Sequence, residues 1–273
     1  MSDPRGQIAV RHYGQAGPLL GVLHGGPGAP GSLAPLARLL SAQFRVVEPL
    51  QRSGGSQPLT VEVHVTDLAQ IAREPMLWLG HSWGAMLALS FAARHPELVK
   101  AIALVGCGTY DEPTRLTYRD RMRTRMTALG ATAHADALRA RLAVTADAAE
   151  RERLRTELGR IAADVMTVDA LEPTWLERID ATSNSETWND VLRLQREGIE
   201  PAAFATIARP VLMLHGDDDP HPGEQTRDVL KRVIPQLEYV SFPRCGHEPW
   251  RERQASQPFL RTLRTWLLAH ATS

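Results

Sequence analysis

The stretch that most constrains this chain is residues 76–85, Met-Leu-Trp-Leu-Gly-His-Ser-Trp-Gly-Ala. Four apolar residues lead into Gly80, Ser82 stands in the middle of a Gly-x-Ser-x-Gly, and Ala85 to Ala93 is a helix-forming window that closes before Pro96. The pattern predicts a buried strand, a sharp turn and a helix. A serine that attacks a carbonyl must stand clear of the backbone, and a strained strand-to-helix turn lifts its oxygen free. Gly80 and Gly84 flank it because a Cβ there would collide as strand and helix close on each other. The helix starts with unpaired N–H groups beside the reacting oxygen, which favours developing negative charge.

The rest of the chain leaves room for such an enzyme. Its 273 residues are 43% hydrophobic and 23% charged, enough for one large core with an insertion. Thirty-one basic residues balance 31 acidic ones, so no nucleic-acid or anionic-membrane partner is expected. The polar start, Met1-Ser2-Asp3-Pro4-Arg5, carries no secretory pattern, and no apolar run approaches a membrane span. Cys107 and Cys245 are too few for a disulfide scaffold and lack metal-ligand spacing. A reduced cytoplasm, no metal and no cofactor are the expectations, with a monomer or homodimer as the assembly.

Read in order, strands are expected at Gln7 to Tyr13, Leu19 to Leu23, Phe44 to Val47, Ala101 to Val105 and Leu237 to Phe242, besides those that end at Gly80 and Gly216. Helices are expected at Ser32 to Leu40, with Ser32 near the cap, at Val61 to Ala72, Gly223 to Val233 and Glu252 to His270. From Tyr110 to about Ala208 the chain shows helical spacing, as at Leu138 and Leu142 and again at Leu154, Leu158 and Ile161, and no strand pattern. Alternating strands and helices imply an α/β fold with a mostly parallel sheet covered on both faces. Residues 1–108 and 209–273 would form the core domain, and 109–208 a helical cap over the sheet's C-terminal edge, where such sheets place their sites.

A serine needs a base, and the base a carboxylate, with the chain order Ser, then Asp or Glu, then His. The acid falls in Gly216-Asp217-Asp218-Asp219-Pro220, where spacing alone leaves all three aspartates open. Of ten histidines, His247 alone sits in the loop after the last strand, which Gly246 makes pliable, while His270 falls in the terminal helix. His81 reads as a support for the turn, and Cys245 as a small packing residue. Oxyanion donors are expected from the N–H of Trp83, just after the serine, and of Gly26 in His24-Gly25-Gly26-Pro27-Gly28.

With these motifs together the sequence resembles the α/β-hydrolase family. His-Gly-Gly-Pro-Gly with Gly-His-Ser-Trp-Gly is similar, more narrowly, to the prolyl iminopeptidase branch. The resemblance covers about Gln7 to Gly108 and Arg209 to the end. It implies the family's Gly-x-x-Asp acid at Asp219 and its histidine at His247. Two features depart from the branch. Its Asp-x-Arg-Gly-x-Gly-x-Ser loop reads Leu50-Gln51-Arg52-Ser53-Gly54-Gly55-Ser56 here. Its amine-binding cap glutamates have only Glu172, Glu186 and Glu197 as stand-ins. Arg119, Arg121, Arg123 and Arg125 read as a solvated face or an anion clamp, and Trp175 and Trp188 as pocket lining or core.

The expectation is therefore a cofactor-independent serine hydrolase for a small acyl substrate (ester, lactone, thioester or amide) that passes through an acyl-enzyme. The alternatives are a proline-type aminopeptidase, carbon–carbon hydrolysis or acyl transfer on the same triad, and a receptor that binds without turnover.

Overall fold

The computed structural model describes residues 8–54, 58–172 and 180–272. Gln7, Gly55, Ser56, Trp175 and the polar start lie outside the described residues. Seven strands form one sheet in the order β1-β3-β2-β4-β5-β6-β7. They are β1 (Val10–Tyr13), β2 (Leu19–Leu23), β3 (Arg45–Pro49), β4 (Met76–His81), β5 (Val99–Val105), β6 (Val211–Gly216) and β7 (Glu238–Phe242). Only β1 runs antiparallel to its neighbour β3; all other pairs are parallel. A parallel sheet needs crossovers, and these carry helices onto both faces.

On one face lie α2 (Val61–Ile71), α3 (Trp83–Arg94) and α8 (Gly223–Lys231), and on the other α1 (Ala34–Leu40) and α9 (Ser256–Ala269). The interior strands β4, β5 and β6 are apolar along nearly their whole length because both faces are covered. Several boundaries differ from the sequence reading, among them the start of β5 at Val99 and the end of β3 at Pro49, and two of the differences have a clear local cause. α1 starts after Leu33, and Ser32 makes no capping bond; Pro35 in the first turn, with its fixed φ, sets that start instead. Glu252 is not in the last helix. It bridges to Ala170, because its carboxylate is committed to backbone N–H groups elsewhere.

Between β5 and β6 the described residues hold four helices, α4 (Glu112–Ala128), α5 (Thr132–Val144), α6 (Ala148–Met166) and α7 (Ala181–Arg196), then a 3-10 turn at Ala202–Thr206. Asp111, Asp147 and Asp180 cap α4, α6 and α7, each accepting from an N–H three residues on. No described helix is long and apolar enough to cross a membrane.

Candidate active site

Ser82 directly follows β4 with φ +55° and ψ −119°, a strained conformation for a residue with a side chain. It occupies the N-cap position of α3, yet its hydroxyl makes no capping bond, so Oγ is not spent on the helix. The strain is held by close packing. A Cβ on Gly80 would stand 2.1 Å from the Gly84 carbonyl, and one on Gly84 would stand 2.0 Å from that of Leu23. Ser82 N–H donates to Val105 O at 2.9 Å, which ties the turn to the end of β5.

The loop after β2 lies against this turn. A Cβ on Gly25 would come within 3.1 Å of Ser82 Cβ. His24 orients the loop. Gln51 N–H donates to His24 Nε2 at 3.1 Å, so Nδ1 carries the proton and bonds the Gly25 carbonyl at 2.9 Å. In a trans peptide N–H and C=O point opposite ways, so this bond fixes the direction of Gly26 N–H. Burial lowers the His24 pKa to about 4 and keeps the ring neutral. The Gln51 amide also bonds the His24 carbonyl at 2.9 Å and accepts from the Trp83 indole at 2.8 Å. One side chain thus joins the two segments expected to hold an oxyanion. Gly26 N–H makes no hydrogen bond among the described residues, and Trp83 N–H lies in the first turn of α3, where no helical carbonyl precedes it.

Of the three aspartates, Asp217 and Asp218 are exposed and Asp219 is buried. Asp219 Oδ2 accepts from His247 Nδ1 at 2.7 Å and lies 3.1 Å from His215 Nε2. Its Oδ1 accepts from the N–H of His221 at 2.9 Å and faces His221 Nδ1 at 3.1 Å. Burial works against the charge on Asp219, but the three imidazoles offset it and hold the carboxyl well below its ordinary range. Burial also opposes charge on His247, and Asp219 overcomes this, so the His247 pKa is raised. Asp219, His221 and His247 each offer an atom within 4.8 Å of the others, as metal ligands do. Asp219, His221 Nδ1 and His247 Nδ1 are also joined by the hydrogen bonds above.

His247 reaches the serine turn through His81. The two rings are 4.6 Å apart, and His81 Nε2 bonds the His247 carbonyl at 3.1 Å. The Ser82 hydroxyl makes no hydrogen bond among the described residues; such contacts tighten when substrate binds. Cys245 is buried and its pKa raised by that burial, which leaves it a packing residue.

The helical segment contacts every loop of this edge. Asp180 N–H, Asn184 Nδ2 and Trp188 Nε1 donate to the carbonyls of Gly28, Pro27 and Gly26 at 2.9, 2.9 and 3.3 Å. Arg125 bonds the carbonyls of Asp218 and Thr167, and Arg121 that of Asp219, so these two arginines brace the acid loop. Arg119 and Arg123 pair with Glu112 and Asp120 on the exposed face. Glu186 accepts from Leu59 N–H at 2.9 Å and Glu197 pairs with Arg193 at 2.6 Å, so neither is a free amine ligand. Glu172 lines a cleft of about 730 Å³ with Glu248, Trp250 and Arg251. Sequence reasoning did not single out His215, His221, Gln51 or Glu252; a histidine two residues past a candidate acid was the one available signal.

The family model for the alpha/beta hydrolase fold matches residues 18–250. A 2-(acetamidomethylene)succinate hydrolase of Mesorhizobium japonicum is 27% identical over 256 residues, covering 88% of this chain and 84% of that protein. Among solved structures, E-2-(acetamidomethylene)succinate hydrolase superposes with a TM-score of 0.61 at 20% identity, over 95% of this chain and 94% of that one. A thermophilic esterase from Thermogutta terrifontis gives 0.61 at 20% identity, over 98% and 96%. With its mostly parallel sheet, its strained serine turn and a family-model match across most of its length, the chain belongs to the α/β-hydrolase fold family and is an enzyme of that family.

Proposed function

We propose that the protein is a serine hydrolase for a small acyl substrate, working through an acyl-enzyme. Ser82 attacks the carbonyl, and His247 takes its proton and returns it to the leaving group. Asp219 orients His247 and stabilises the imidazolium. The N–H groups of Gly26 and Trp83 hold the oxyanion, and water then releases the acid. The observation that carries this reading is the buried 2.7 Å bond between Asp219 and His247, on the same sheet edge as a serine held at φ +55°. Two buried free cysteines suit a reducing cytoplasm.

Ester, lactone and amide substrates all fit this chemistry. The relative named for 2-(acetamidomethylene)succinate favours a small amide-bearing acid as the second reading. The prolyl iminopeptidase resemblance rests on the two glycine motifs, and the engaged Glu186 and Glu197 argue against amine recognition by them.

A fluorophosphonate probe should label the wild type and not Ser82→Ala, and turnover should fall by at least about a thousandfold in that variant. Equal labelling in both would end the proposal. Because the His247 pKa is raised, its base form is lost as pH falls through a value above 6.5, and the labelling rate should fall with it. Rates on p-nitrophenyl acyl esters, proline naphthylamide and 2-(acetamidomethylene)succinate then rank the three substrate readings.

A further inference from the structure

The acid of the site carries more imidazole than one base requires. Four donors surround the Asp219 carboxylate: His247 Nδ1 at 2.7 Å, His221 N–H at 2.9 Å, His221 Nδ1 at 3.1 Å and His215 Nε2 at 3.1 Å. His215 Nε2 also faces the His221 carbonyl at 3.0 Å, and with acceptors on both sides it must carry the proton. By the same logic His221 carries its proton on Nδ1. Any residue but proline at 221 would supply the backbone N–H; the imidazole adds a second donor to the same oxygen.

The ring of His221 also lies on the base. It stacks on His247 with centroids 4.7 Å apart and planes at 22°. Tyr118 of α4 stacks on its other side at 4.4 Å and 23°. Burial disfavours charge on His221, so a neutral ring lies against His247. A charged one would repel the imidazolium that forms during the reaction.

Resting on the serine-hydrolase reading, we infer that His221 is a positioning residue: its two N–H groups grip Oδ1 of Asp219 and so keep Oδ2 aimed at His247. A carboxylate bonded through one oxygen is free to turn about its own axis. Gripped at the other oxygen, it presents a single lone-pair direction to the base. Removing the Nδ1 donor should misalign the pair and leave the carboxylate charge less stabilised. The carboxylate would then hold the His247 proton more tightly.

The charged and titratable groups around His247 are few. Asp219 and His221 face it from the acid loop, His81 from the end of β4, and Glu248 from its own loop. Tyr118, His215 and the Arg121 guanidinium stand behind these, against His221 or Asp219. All but His221 stay in place in the variants below, so a difference in pH profile belongs to residue 221.

The test is the rate of fluorophosphonate labelling of the purified full-length protein from about pH 5 to about pH 9, which needs no natural substrate. His221→Phe keeps a stacked ring and loses the donor. His221→Asn loses the ring and keeps a donor near the position of Nδ1. His221→Phe should label about ten- to a hundredfold more slowly, with the acid limb moved to higher pH, and His221→Asn should recover most of the rate and the wild-type limb. Wild-type rate and limb in His221→Phe would overturn the inference, as would an equal loss in both variants. If His221→Phe does not fold, His221→Leu, which also lacks the donor, takes its place and is read by the same outcomes. Labelling that survives in Ser82→Ala marks failure of the serine reading itself. A dead Ser82→Ala beside an indifferent His221→Phe marks failure of this inference only.

Discussion

The sheet core and the helical segment above it are built on different principles. In α3, ten of twelve residues are buried, and apolar clusters fill both faces of the sheet. In α6 only Leu154 and Val165 of nineteen residues are buried, and the cluster shared by α4, α5 and α6 holds just Met126, Ala135 and Val165 as buried members. What places the segment is polar. α7 donates to the carbonyls of the loop after β2, arginines of α4 hold the acid loop, and Met166 accepts from the N–H of His247 at 2.8 Å. Apolar burial is non-directional, whereas hydrogen bonds demand geometry. Apolar burial therefore holds the core together, and directional bonds hold the helical segment against it; we propose that the second set serves alignment.

The sharpest test pairs two leucines. Leu104→Ala in β5 should cost about 3–5 kcal/mol of global stability, while Leu154→Ala in α6 should cost about 1–2 kcal/mol, both read from urea midpoints. Equal costs would break the distinction.

A second test concerns the seam. Burial depresses the pKa of His24 and of His64 to about 4 each, and His64 Nε2 bonds Thr187 of α7 at 3.0 Å. In both cases the folded value lies below the unfolded one. The stabilising contribution is thus complete above about pH 6.5 and is lost as pH falls towards about 4, where the unfolded chain binds more protons. Each group is worth about 3 kcal/mol at the acid end, so the urea midpoint should drop across this range and His64→Gln should flatten the slope. A flat profile in the wild type would mean that water already reaches the seam.

The third test probes alignment. Glu252 is buried, and its carboxylate accepts from Gly246 N–H at 3.0 Å, Val168 N–H at 3.0 Å and Asp169 N–H at 2.7 Å, fastening the helical segment to the His247 loop. Glu252→Ala should cost about 1–3 kcal/mol and slow labelling of Ser82 about tenfold. Lost stability at an unchanged labelling rate would show that this contact carries no alignment.

The motifs were legible because they are local. Residues 76–85 announce strand, turn and helix through spacing alone, and the observed β4 and α3 follow that reading closely. The helical character of the stretch between β5 and β6 was legible for the same reason. Glu252 shows the limit: its surroundings read as helix, but two of its three partners lie more than eighty residues away, at Val168 and Asp169. Arg121 and Arg125 read as a solvated face because their acceptors are backbone carbonyls of the acid loop, which no periodicity reports.

By itself the sequence determined the fold class, the sheet-and-helix order and the short list of candidate side chains, because hydrophobic period and glycine placement act within about a dozen residues. Spacing left three neighbouring aspartates level, and only the family resemblance pointed to one. Tertiary structure decided which carboxylate turns inward to meet His247, that two further histidines share it, and that Gln51 ties the loop after β2 to Trp83. Those contacts join residues remote in sequence, and hydrogen-bond geometry exists only once the strands have set the loops side by side.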